Sequence, residues 1–151
     1  MRAPRAWVSL LLTLPLVPLI VLGDAEAAQP VLQDAETRVR TKYNEGSTLY
    51  SAADYTGAIS AFTEALQIVT AELHDMNVRG ALLLNLAKAH TNAFDVDHDA
   101  EHLRQARSIY TRFIGESRNS DVETETDIKD AQRQIDKIDR QLKKHEEWGA
   151  P

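Results

Sequence analysis

Tyr43-Asn44-Glu45-Gly46-Ser47-Thr48-Leu49-Tyr50, a break at Ser51-Ala52-Ala53-Asp54, then Tyr55-Thr56-Gly57-Ala58-Ile59-Ser60-Ala61-Phe62-Thr63-Glu64-Ala65-Leu66 together decide the fold. In the second half Tyr55, Ala58, Ile59, Phe62, Ala65, Leu66 and Val69 recur at helical spacing, one face of a helix that Asp54 can cap. The first half, Thr41 to Ala52, carries Tyr43, Gly46, Leu49 and Tyr50. The link between them is so short that the two helices must run antiparallel. A glycine inside a helix costs about 1 kcal/mol against alanine. Close approach of a neighbouring helix at Gly46 is the natural offset.

Working outward, a third helix is expected from about Met76 to Ala93, with Val78, Leu82, Leu86, Ala89 and Ala93 inward. A fourth runs from about Asp99 to Ile114 on Leu103, Ala106, Ile109, Tyr110 and Phe113, and Gly115 is read as its stop. Ser120-Asp121-Val122-Glu123 has the form of a capping box that opens the last helix, 121–146. Its stripe is Ile128, Ala131, Ile135, Ile138 and Leu142, supported by the pairs Glu125–Lys129, Asp136–Arg140 and Asp139–Lys143. No convincing strand occurs, so the fold class is all-α. Residues 148–151 read as a disordered tail.

The quoted stretch resembles a tetratricopeptide repeat (TPR), with repeat 39–72 and a looser repeat 80–115. Ala58 to Ala106, Phe62 to Tyr110 and Ala65 to Phe113 are each 48 residues apart, which supports duplication of the second helix. The resemblance implies a stack of two antiparallel hairpins in which Gly46, Ala58, Phe62, Ala65, Ala87, Ala106, Tyr110 and Phe113 pack. It also implies a concave protein-binding groove formed by Arg40, Tyr43, Ser47, Tyr50 and Ser51 with Leu84, Lys88, Thr91 and Asn92. Lys42 and Glu45 stand where the family has large apolar residues. Tyr43 and Ser47 stand where some members carry the lysine and asparagine that clamp a carboxylate. Two hairpins leave an open end, which the last helix can cover as a cap; its spacing also suits a coiled coil.

The N-terminus carries an address. Arg2 and Arg5 precede an apolar run from Ala6 to Leu22, followed by Ala25 and Ala27, two small residues at signal-peptidase spacing. Residues 1–27 are therefore read as a secretory signal cut after Ala27, and residues 28–147 as the helical domain. The alternative is a retained membrane anchor, although Pro15 and Pro18 interrupt the run. The chain is expected to be periplasmic or secreted and bacterial, touching the membrane only through this segment.

Composition narrows the chemistry. The 151 residues have a net charge of −6 and no cysteine, which excludes disulfides, thiolate zinc sites and a cysteine nucleophile. The acidic balance argues against a nucleic-acid partner. His98-Asp99-Ala100-Glu101-His102 spells the H-x-x-E-H order of inverted zinc peptidases, making a zinc hydrolase on His98, Glu101 and His102 a remote alternative. Asp95, Asp97 and Asp99 begin like a calcium loop, but Ala100 and Ala106 occupy the positions that need glycine and glutamate. His74, His90 and His145 are scattered, and His90 reads as a hydrogen-bonded core residue. The expectation is a non-catalytic binder of another protein or peptide, with no cofactor and no resident metal. Self-association as a homo-oligomeric envelope component is the alternative.

Overall fold

The computed structural model describes residues 23–117 and 125–149, with side-chain surroundings for 31–117 and 125–147. Among the described residues every regular element is helical and none is a strand. Helix α1 spans Gly23–Ser51 and α2 spans Tyr55–Ile68, continued by a π-helical turn at Val69–Leu73. Helices α3, α4 and α5 span Met76–Asp97, Ala100–Ser117 and Glu125–Gly149.

Aspartates set three of the starts by accepting the first unpaired N–H groups. Asp54 Oδ1 accepts from Gly57 N–H at 2.9 Å. Asp75 Oδ1 accepts from Asn77 and Val78 at 2.9 and 3.1 Å, and Asp99 Oδ1 from Glu101 at 2.9 Å. Three non-glycine residues with positive φ end the preceding elements: Ala53, His74 and His98. At the first of these, Asp54 N–H returns to Leu49 O at 2.9 Å and Ala53 N–H to Tyr50 O at 3.0 Å.

Cross-helix pairs fix the directions. Lys42 meets Glu64, and Arg38 meets Glu72, so α1 and the α2–π segment run antiparallel. Arg79 meets Glu116, and His90 meets His102, so α3 and α4 also run antiparallel. Tyr43 meets Asn85 and Tyr50 meets Asn92, both 42 residues apart, so α1 and α3 are parallel. The core is one cluster in which alanines at 58, 65, 87, 89 and 106, all fully buried, let backbones approach around Phe62, Leu82, Leu103, Tyr110 and Phe113. α5 joins the same cluster through Ala131, Ile135 and Ile138, and Arg107 Nε donates to Asp139 Oδ1 at 2.6 Å across the α4–α5 contact. Its apolar stripe is thus covered within the chain.

Several boundaries differ from expectation. α1 begins at Gly23, far ahead of Thr41, and Ala35 and Val39 of this added length are buried. α3 continues past Ala93 to Asp97. Gly115 does not stop α4. The helix runs on to Ser117 because Glu116 is held by Arg79 and Arg112, and Ser117 Oγ donates to Phe113 O at 2.8 Å. α5 extends through Gly149, so Trp148 and Gly149 are helical rather than tail. Of the three expected α5 pairs, Glu125–Lys129 forms at 2.7 Å, while Asp139 turns to Arg107 instead of Lys143. Residues 1–22, the Ser120–Glu123 box and residues 150–151 lie outside the described residues. Ala25 and Ala27 fall in the opening turns of α1. Among the described residues, no helix is long and apolar enough to cross a membrane.

Candidate functional site

Parallel α1 and α3 leave a furrow between them. Its upper part is a cavity of about 530 Å³ lined by Leu32, Val39, Leu73, Val78, Ala81 and Leu82, with Glu36, Arg40, Tyr43 and Asp75 also contributing. Its lower part, about 270 Å³, is lined by Ser47, Tyr50, Ser51, Phe62, Asn85 and Lys88. Tyr43 separates the two: its ring packs on Phe62 at 6.0 Å between centroids, and 39% of the residue remains exposed.

The walls are fixed by tyrosine–asparagine contacts. Asn92 Nδ2 donates to Tyr50 Oη at 2.6 Å, and Asn85 Nδ2 lies 3.5 Å from Tyr43 Oη. Tyr50 also meets Tyr55 edge-on at 5.4 Å. The tyrosines are one heptad apart on α1 and the asparagines one heptad apart on α3, so one helical face meets another in register. This arrangement places aromatic rings and polar tips together along the furrow.

Charge is unevenly satisfied here. Arg38, Lys42, Arg79, Arg104, Arg107 and Arg112 all sit in ion pairs. Arg40 and Lys88, both lining the furrow, form no ion pair among the described residues.

The α1 residues singled out from sequence, Arg40, Tyr43, Ser47, Tyr50 and Ser51, all line the furrow. On α3 the outcome is mixed. Lys88 lines it and Asn92 holds Tyr50. Thr91 does not face it: the residue is 9% exposed, its hydroxyl donates to Ala87 O at 3.0 Å, and it faces Tyr110. Leu84 is half-buried against the core. The α3 wall is instead Val78, Ala81, Leu82, Asn85 and Lys88. Three consecutive leucines, 82–84, hid that choice of face, whereas the matched heptads of tyrosine and asparagine carried it. Leu32, Glu36 and Val39 belong to the turns of α1 that the sequence reading placed before the helix.

The packing residues gather as pairs. A Cβ placed on Gly46 would lie 2.7 Å from Cδ1 and Cε1 of Phe62. Ala58 and Ala65 are fully buried in the first hairpin, and Ala87, Ala106, Tyr110 and Phe113 are buried in the second. Burial pushes the Tyr110 hydroxyl up to about 12, and its hydrogen bond with Thr91 opposes the shift.

The H-x-x-E-H residues do not converge. His98 terminates α3 in a left-handed conformation and packs on Phe94, while α4 starts at Ala100, so a helix break separates it from His102. Glu101 turns to Gln105 and Arg104 on its own helix. Asp97 and Asp99 cap backbone N–H groups. Among the described residues no group of three or more potential ligands is placed to hold a metal ion. Compared with known proteins, the chain matches no family model, no curated protein sequence and no solved structure.

Proposed function

We propose that this chain is a TPR-like, non-catalytic recognition module that binds a segment of another protein along the α1–α3 furrow. The observation that carries the reading is the furrow itself: two cavities aligned on one face of two parallel helices, with Tyr43 exposed between them. The TPR-like part rests on the two antiparallel helix pairs, the Gly46–Phe62 contact and the alanine-lined seams. The partner segment brings an apolar side chain for the Leu32–Val39–Leu82 cavity. Acidic groups beside that side chain suit Arg40 and Lys88, which form no ion pair among the described residues. The basic, apolar N-terminus with Ala25 and Ala27 supports export to the periplasm or cell exterior, which is where the partner is to be sought.

The test is capture from an envelope extract by the wild type and by the Tyr43→Ala/Tyr50→Ala double variant, each checked for helical content. A partner held by the wild type and lost from a folded double variant supports the furrow. Equal capture by both places binding elsewhere.

Self-association is a second reading, favoured by the exposure of Val31 (63%), Leu32 (45%) and Met76 (41%). Light scattering across a concentration series separates it: a strict monomer removes this reading and leaves the first intact.

A further inference from the structure

His90 on α3 and His102 on α4 meet ring to ring. Their Nδ1 atoms are 3.0 Å apart and their centroids 5.3 Å, the separation left when two imidazoles meet end to end. The lone pairs therefore point along one line rather than converging on a third point, where a shared metal ion would need them. On its far side His102 Nε2 lies 3.1 Å from Asp97 Oδ2. The nearby carboxylate favours the tautomer of His102 that carries its proton on Nε2. With both rings neutral, His102 Nδ1 is the acceptor and His90 Nδ1–H the donor. One further proton leaves the Nδ1–Nδ1 link unbroken, since it still holds a single hydrogen. A second further proton would place two N–H groups head to head.

We propose that the His90–His102–Asp97 relay is an acid-operated joint between α3 and α4, closed while the two rings share at most one proton beyond neutrality and opened by the next. Burial, then the charge on His102, pushes His90 down to about 4, and Glu101 partly opposes both. Among the described residues, His102 and Glu101 are the charged groups that act on His90; α5 brings Lys144 and His145 against Phe94, one turn further along α3. The sign follows from linkage. His90 in the unfolded chain takes its proton near 6.5, so between that value and about 4 the unfolded state holds a proton that the folded state refuses. Stability therefore falls with falling pH in this window, and the joint itself opens at its lower end. Asn92, two residues beyond His90, is the group that holds Tyr50. Opening the joint thus loosens the lower wall of the furrow. That consequence for binding rests on the furrow reading; the joint does not.

The experiment uses the full chain without any ligand. Urea unfolding at pH 7, 6, 5 and 4.5 reads the folding constant, which in the wild type drops by up to about tenfold per pH unit below 6.5. His90→Leu flattens that slope. Nitrogen-15 spectra of the histidine rings in the wild type provide a second readout that needs no variant: one shared Nδ1–H signal at pH 7, lost near pH 4 together with a shift of the Asn92 side-chain amide. An unchanged slope in His90→Leu, or Nδ1 signals that never report a shared hydrogen, overturns the joint. Loss of the shared signal with no change at Asn92 keeps the joint and removes its link to the furrow.

Discussion

The ring of Phe62 on α2 lies so close to the α1 backbone at Gly46 that any side chain there would sit 2.7 Å from Cδ1 and Cε1. This contact sets the spacing of the first hairpin. Tyr43, one turn before Gly46 on α1, packs on the same ring, so the hairpin seam and the furrow share one residue.

Gly46→Ala is therefore destabilising. The gain in helix propensity of about 1 kcal/mol is outweighed by the displaced ring, for a net loss of about 1–3 kcal/mol. Phe62→Leu in the same chain recovers part of that loss, because it removes Cε1 and Cζ and leaves a side chain free to turn its remaining carbons away from the methyl. A double-mutant cycle in urea measures it, and additivity of the two changes would show that the residues do not touch.

Ala53 holds a left-handed conformation at the end of α1, with φ of 60°. Glycine removes the crowding of Cβ, worth about 1–2 kcal/mol, at an entropic cost of about 0.5–1 kcal/mol. Ala53→Gly is expected to raise stability by up to about 1 kcal/mol, read as a higher unfolding midpoint at unchanged urea slope. A lower midpoint would mean that the turn has another geometry.

Glu116 joins α3 to α4 through Arg79, whose Nε and Nη2 donate to it at 2.7 and 2.9 Å, while Arg112 Nε adds 2.8 Å. The hydrogen bonds from Arg79, aided by Arg112, hold its carboxyl down at about 2. A depressed carboxylate stabilises the fold above its ordinary value of 4.5, and that contribution is lost as pH falls towards 2. Glu116→Gln removes the pH dependence in that window and costs about 1–2 kcal/mol at neutral pH. Its window lies mostly below that of His90, so unfolding measured from pH 7 to pH 2 separates the two groups.

A local signal in the sequence located the start of α2 at Asp54, since an N-cap is a property of a few neighbouring residues, while the expected starts near Met76 and Asp99 lie within a residue of those of α3 and α4. The Gly46–Phe62 approach was also legible, because a costly glycine between apolar neighbours calls for a close contact. The length of α1 was hidden by a polar stretch after Pro30 that buries only Ala35 and Val39. The face of α3 was hidden because Leu82, Leu83 and Leu84 fit any orientation. Thr91 reads as an exposed polar position, yet it bonds its own helix and faces Tyr110. The His90–His102 pair joins two helices across a turn at His98 that no periodicity marks.

A photo-crosslinking amino acid placed at Lys88, inside the furrow, and at Gln105, exposed on α4, in cells that express the full chain probes the furrow itself. A discrete adduct from position 88 that disappears with Tyr43→Ala/Tyr50→Ala, and none from position 105, is the expected result. Adducts of equal yield from both positions, or an adduct from 105 alone, would contradict it.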